Sequence, residues 1–283
     1  MVGWRKWSWV GPAFVMLLAG CPAAPVVEPT ATPTPAVRPG GPLVKSVGVD
    51  GDQPGFSVMT GVGKYDGFDA ELVQWLTGQN NWNAKPFVVA SKDREKVIQE
   101  DVDGETIVIS TYSITDKRRE VVGMAGPYLK TQQGVLVRAG DKRIRSTDDL
   151  QPRSVCTVAG TTSEEQLGQQ GVTRLTLLDG FQQCVDLLKA GQVDAVSTDL
   201  LILHGFVNAE AGAVEVVPDL FFGKSEEYGI GFKHGDTAMC KLLTASIKEF
   251  IRSNTWRTYY ASHHFPPELE DNSRPNPDYL DPC

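Results

Sequence analysis

An arginine closing the run Thr111-Tyr112-Ser113-Ile114-Thr115-Asp116-Lys117-Arg118 is the residue of this chain whose type points most directly to chemistry. Its planar guanidinium can donate two parallel hydrogen bonds to a carboxylate, a geometry that a lysine there would lose. Further along, Gly160-Thr161-Thr162-Ser163 lies between a strand ending near Val158 and a helix starting near Ser163. Backbone amides at such a helix start favour an anion, and Thr161 or Thr162 would cap the helix as well. These residues offer recognition of a charged molecule rather than turnover. The four histidines are scattered apart from His263-His264, no nucleophile elbow is present, and no CxxC or Cys/His spacing suits zinc. No metal, no cofactor and no enzymatic activity are expected.

The elements that must position these groups alternate short apolar strands with amphipathic helices. Strands are expected at 44–49, 106–110, 135–137, 155–158 and 193–196, with helices at 163–169 and 181–190 between the later ones. Phe68, Leu72, Trp75 and Leu76 mark one helix face, and Met239, Leu242, Leu243, Ile247, Phe250 and Ile251 another. This is an α/β chain, expected to form mainly parallel sheets covered on both faces. Its 283 residues, 41% hydrophobic, suffice for one large core or two modest ones. A net charge of −8, with 27 basic residues in no long run, argues against nucleic acid as a partner.

The N-terminal region reads as targeting rather than fold. Arg5 and Lys6 precede a mostly apolar run, 7–18, too short and interrupted to span a bilayer comfortably, and Leu18-Ala19-Gly20-Cys21 follows. Those four residues resemble the lipobox of bacterial lipoproteins. The likeness implies that 1–20 is a signal peptide, that Cys21 is lipidated, and that the exported protein is held at the outer face of the cell membrane. Residues 21–42 carry seven prolines and almost no charge, as expected of a semi-rigid tether. Setting Cys21 aside leaves Cys156, Cys184, Cys240 and Cys283, which allow three pairings. Cys156 sits in a strand and Cys184 on the apolar face of a helix, so the expected disulfides are Cys156–Cys184 and Cys240–Cys283.

A wider resemblance emerges from the order of several motifs. Gly48-Val49-Asp50-Gly51-Asp52-Gln53-Pro54-Gly55-Phe56, Gly67-Phe68-Asp69-Ala70-Glu71-Leu72, the Thr111–Arg118 run and Ala125-Gly126-Pro127-Tyr128 occupy the first half. Gly160-Thr161-Thr162-Ser163, Val193-Asp194-Ala195-Val196-Ser197-Thr198-Asp199 and Tyr228-Gly229-Ile230-Gly231 follow. Together they resemble the solute-binding proteins of polar amino-acid ABC transporters (extracellular solute-binding family 3), most of all actinobacterial glutamate- and glutamine-binding lipoproteins. The resemblance implies a two-lobed, type II periplasmic-binding-protein-like fold with two hinge crossovers. Lobe 1 would comprise 43–128 and 229–283, lobe 2 would comprise 134–222, and 129–133 and 223–228 would be the hinges.

The resemblance also assigns roles. A small polar amino acid of the glutamate, glutamine, aspartate and asparagine class would lie between the lobes, its carboxylate on Arg118, Thr161 and Thr162. Its ammonium would meet Asp199, Ser113 and the Thr111 carbonyl. Tyr112 would form an apolar wall, Asp52 would either bond the ligand or brace its loop, and Phe68 and Asp194 would be structural. The implied partner of this monomer is an ABC permease or a membrane sensor. Two departures bear on specificity: Asp50-Gly51 stand where glutamate-binding relatives often carry Lys-Phe, and Val158-Ala159 where some carry Lys or Gln. An acidic side chain would then need Lys64, Lys92 or Lys130, and glutamine, asparagine or even a basic amino acid stays open beside glutamate and aspartate. A dehydratase-like enzyme of the same fold is the remaining alternative.

Overall fold

The computed structural model describes residues 41–283 together with Met1 and Gly3. The signal segment, Cys21 and nearly all of the tether therefore lie outside the described residues. The chain runs through β1 (Ser46–Val49), a small antiparallel sheet of β2 (Asp52–Gln53), β3 (Ser57–Gly61) and β4 (Lys64–Asp66), and helix α1 (Phe68–Asn80). There follow β5 (Lys85–Val88), α2 (Arg94–Glu100), β6 (Thr106–Ser113), α3 (Asp116–Arg119) and the long β7 (Gly123–Arg138). Next come β8 (Ser154–Val158), α4 (Thr162–Gln169), β9 (Arg174–Leu178), α5 (Phe181–Lys189), β10 (Ala195–Asp199) and α6 (Leu200–Ala209). The last elements are β11 (Val214–Val216), β12 (Phe222–Phe232), α7 (Thr237–Arg252), α8 (Asn254–Ser262) and α9 (Glu270–Ser273). Among the described residues no helix is long and apolar enough to cross a membrane.

The main sheet has the order β5-β1-β6-β12-β7-β10-β8-β9, with β11 beside β7. This corrects the expectation of mainly parallel pairing. β1 is parallel to β5 and β6, and β8 to β9 and β10, but β7 runs antiparallel to both β12 and β10, and β12 antiparallel to β6 as well. The cause is the two-lobed plan. Two strands must carry the chain between lobes in opposite directions, and both lobes build their sheets on them. At its start β7 pairs Gly123, Met124 and Ala125 with Phe232, Gly231 and Ile230; at its end Gln133–Leu136 pair with β10. The β12–β7 ladder shifts register between Phe222 and Glu226, and again between Tyr228 and Ile230.

Each lobe is built on an apolar face. On α7 the stripe Met239, Leu243, Ile247, Phe250 and Ile251 is buried, as its spacing demands, and the Asp236 side chain caps the helix by accepting from Met239 N at 2.8 Å. In lobe 2, Val135, Val137, Val155, Leu167 and Ala195 form a separate core. Cys156–Cys184 ties β8 to α5 with Cα atoms 5.5 Å apart, and Cys240–Cys283 ties α7 to the C-terminus at 5.6 Å. The tail is further held by Asp281, whose N–H donates to the Gly126 carbonyl and whose carboxylate pairs with Arg119. Both expected pairings are thus present.

Asp69, in the first turn of α1, links three elements. Its two oxygens accept from Thr111 N at 2.7 Å and from the Tyr128 hydroxyl at 2.8 Å, joining α1 to the ends of β6 and the middle of β7. Burial pushes its carboxyl up to about 7 from an ordinary 3.8, although the bonds from Tyr128 and Thr111 oppose the rise. A carboxyl whose pKa is higher folded than unfolded stabilises the fold fully below the unfolded pKa, and that contribution disappears as pH climbs through the folded value. Thermal unfolding followed from pH 4 to pH 7 should therefore show stability falling with pH, and Asp69→Asn should flatten that slope. A slope identical in the variant would show that Asp69 does not titrate in this range.

Candidate functional site

The end of β6 is held in a conformation its residues would not choose unaided. Thr111 has φ 42°, in the left-handed region that a β-branched residue rarely enters. It is fixed there by the bond from its N–H to Asp69 and by its hydroxyl, which donates to Gln53 Oε1 at 2.9 Å. The next residue, Tyr112, is fully buried with a guanidinium against its ring on two sides: Arg94 at 4.5 Å and Arg118 at 4.7 Å from the centroid. Its ring is a spacer between two cations, and it lines no open space.

Those two cations converge on one oxygen of the other lobe. Arg118 donates from Nη1 to the Ser113 carbonyl at 2.7 Å and from Nη2 to the Gly160 carbonyl at 3.1 Å, while its Nε lies 3.2 Å from Glu95 Oε1. Arg94 donates to the carbonyls of Ser91 and Ser110, both at 2.9 Å, and to the same Gly160 carbonyl at 3.4 Å. Burial, and then the neighbouring Arg118 charge, pull Arg94 down to about 10. Gly160 can be nothing but glycine: it has φ 75°, and a Cβ there would lie 2.7 Å from the Lys92 Cα. Arg94 was missed in the sequence. A usable signal existed, since a basic first residue opposes the macrodipole of α2 and gains nothing locally.

Thr161 and Thr162 are engaged differently: one takes the expected cap and the other faces an acid. Thr161 caps α4, accepting from Glu164 N at 3.3 Å and donating to the Val158 carbonyl at 2.7 Å, while Glu164 Oε2 accepts from Gly160 N at 2.9 Å. Thr162 donates its hydroxyl to Glu226 Oε2 at 3.0 Å and lies 3.5 Å from the Ser113 hydroxyl. Glu226, on β12 and nearly buried, neighbours Asp199 at the end of β10. Asp199 Oδ2 accepts from the Tyr228 hydroxyl at 2.6 Å, whereas its buried Oδ1 has no protein partner. Burial and the adjacent Glu226 charge hold the Asp199 carboxyl well above the usual range, with Arg94 and Arg118 acting weakly in the opposite sense. Arg118, Ser113, Thr162 and Glu226 are thus joined by successive polar contacts, with Asp199 next to Glu226. Glu226 was not singled out in the sequence, and Tyr228 only as part of a motif, because strand alternation alone does not distinguish a buried acid from a surface one.

The other expected residues lie elsewhere. Asp52 Oδ2 accepts from Gln182 N on α5 at 3.1 Å, so it reaches the opposite lobe rather than only its own loop. Phe68 is core, stacked on Tyr128 with centroids 6.3 Å apart. Asp194 accepts from Ser154 N and Oγ, a structural role. Lys92 pairs with Asp179 and Lys130 with Glu227, each at 2.6 Å, while Lys64 stands exposed on β4. Arg118, Gly160, Thr161 and Thr162 border a cavity of about 820 Å³, with Lys92 and Lys117 at its rim. Among the described residues no group of three or more His, Cys, Asp or Glu is placed to hold a metal ion.

A buried acid without a full set of partners costs stability. Asp199→Asn removes the ionisation that burial opposes, so the variant should melt above the wild-type protein at pH 8, the difference shrinking toward pH 4. Calorimetry of the pair without ligand checks this; an Asn variant of lower stability at pH 8 would show that Asp199 is a structural ion.

Comparison with known proteins agrees with this architecture. The profile of the bacterial extracellular solute-binding proteins, family 3, matches residues 46–266. The glutamate-binding protein GluB of Corynebacterium efficiens is 31% identical over 76% of this chain and 76% of its own length. The ABC transporter glutamine-binding protein GlnH of Bacillus subtilis is 30% identical over 70% of this chain and 72% of its own. An ancestral arginine-binding protein bound to glutamine superposes with a TM-score of 0.71 at 25% identity, covering 78% of this chain and 97% of that one. The ancestral amino acid-binding protein AncCDT-1, a precursor of cyclohexadienyl dehydratase, superposes at 0.69 with 24% identity over 77% and 94% of the two chains, which shows the fold alone. The chain belongs to the bacterial extracellular solute-binding proteins, family 3.

Proposed function

We propose that this protein is an exported, lipid-anchored receptor, monomeric, that closes on a polar L-amino acid and presents it to an ABC permease. The lobes are 43–128 with 229–283, and 134–222, rotating about 129–133 and 223–228. The observation that carries the reading is the unpartnered Asp199 Oδ1, buried at one end of a polar chain whose other end is Arg118. A zwitterion supplies the two charges that such a chain lacks.

Its carboxylate takes the position now filled by the Gly160 carbonyl, where two guanidinia meet a neutral oxygen and an anion gains more. The amides at the start of α4 lie beside it. Its ammonium takes Asp199, with Ser113 and the Thr111 carbonyl completing the acceptor shell. The glutamate- and glutamine-binding relatives support a ligand of the glutamate, glutamine, aspartate and asparagine class. With Asp50 in place of a cation, a side-chain amide suits the pocket as well as a carboxylate does; an acidic side chain would draw Lys92 away from Asp179.

Thermal-shift screening of the twenty amino acids against residues 43–283 tests the reading. At a hundredfold excess over Kd a true ligand adds about 2.7 kcal/mol, which for a domain of this size raises Tm by roughly 5–10 °C. Arg118→Ala and Asp199→Ala should each abolish the response while the protein stays folded. Full responses in both variants would refute the assignment of the site.

A further inference from the structure

We propose that Asp52 is a closure latch: a lobe 1 carboxylate that caps helix α5 of lobe 2, and so raises affinity without touching the ligand. The inference rests on the two-lobed binding mode proposed above. It concerns a contact outside the polar chain that receives the amino acid.

The first amides of a helix have no partner within it, and a side-chain oxygen just before the helix normally supplies one. In α5 the preceding residue is Gly180, which has no side chain to offer. The missing acceptor comes from 130 residues away, where Asp52 Oδ2 takes the Gln182 N–H at 3.1 Å. The fit is tight on both sides. A Cβ on Gly180 would lie 2.2 Å from that same oxygen, so only glycine leaves the carboxylate its place. Here the limit is space and not backbone conformation, since Gly180 has φ −144°.

Both ends of the latch are anchored in their own lobes. Asp50 Oδ1 accepts from the N–H groups of Gly51 and Asp52, at 2.7 and 3.0 Å, and its Oδ2 accepts from Gln53 Nε2 at 3.0 Å, which sets the direction of the Asp52 side chain. On the other side α5 is fastened to β8 by Cys156–Cys184. The contact therefore joins two firm bodies and breaks whenever the lobes part. Two further bridges cross between the lobes, Lys92–Asp179 and Lys117–Glu165, but their exposed side chains make each of little consequence. The capping bond is partly buried and carries charge onto a helix start, where it is stronger.

A latch that touches no ligand affects all ligands alike. Asp52→Ala should raise Kd about 5- to 10-fold, by the same factor for every amino acid bound, through faster dissociation. Gly180→Ala should do the same, because its methyl group displaces the carboxylate. The double variant should be no worse than either single one. Gly180→Ser separates closure from helix stability. Its hydroxyl caps α5 locally, so Tm should match the wild type while Kd stays raised. Stopped-flow dissociation, calorimetry and small-angle scattering of the ligand-free purified protein provide the readouts, with Asp52→Ala more open in scattering. Unchanged dissociation and an unchanged scattering profile in Asp52→Ala would overturn the latch. So would a loss that differed between ligands, which would make Asp52 a ligand contact. A wild-type protein that bound no amino acid would instead refute the binding mode, and the scattering comparison would still decide the latch.

Discussion

Two like charges packed on one aromatic ring dominate the energetics of this molecule. Arg94 and Arg118 lie against Tyr112, out of bulk water, and each would prefer an anion that the protein does not fully supply. Glu95 meets one of them; the Gly160 carbonyl meets both. A neutral carbonyl between two guanidinia is a weak solution to a strong electrostatic demand. The left-handed Thr111, the Asp69 anchor and the glycine at 160 all serve to keep those cations and that oxygen together.

The opposite charge is stored with equal care. Asp199 and Glu226 share the interior, and the tyrosine and threonine hydroxyls satisfy only part of their acceptor capacity. Arg118 meets Glu95 directly, whereas Ser113 and Thr162 stand between it and the acids Glu226 and Asp199; in the proposed binding mode that separation leaves a place for a zwitterion. The strain at Thr111 and the buried carboxyl are thus concentrated at the proposed site, and the disulfides and the aromatic core around Phe68 provide compensating stability.

Much of this was legible in the sequence, for physical reasons. Arg118 stood out because its planar guanidinium suits a carboxylate and the motif resemblance places an arginine there. The α4 cap followed from Thr161 and Thr162 standing just before the helix, and Thr161 is the one that caps it. The disulfides could be read because Cys156 and Cys184 fell on faces that had to meet. What could not be read was mostly long-range. Arg94 looks like an ordinary surface arginine until β6 and Gly160 are placed beside it. β7 was visible only at 135–137, since Lys130, Gln132 and the proline at 127 interrupt the apolar alternation that marks a buried strand. Asp52 posed a choice between ligand and loop, and its bond to α5 belongs to neither, because it depends on how the lobes meet.

The break in the β12–β7 ladder has its own mechanical meaning. Between Phe222 and Glu226 the pairing lapses, while β7 continues as one strand from Gly123 to Arg138. Bending there sacrifices no rung, so the compliance of the joint is lopsided: one ribbon acts as a spring leaf and the other as a slack cord. The axis of motion should accordingly lie along the intact strand. Glu226, at the edge of the slack stretch, would then move with the bend, so the acid beside Thr162 and Asp199 would be carried by the proposed hinge itself.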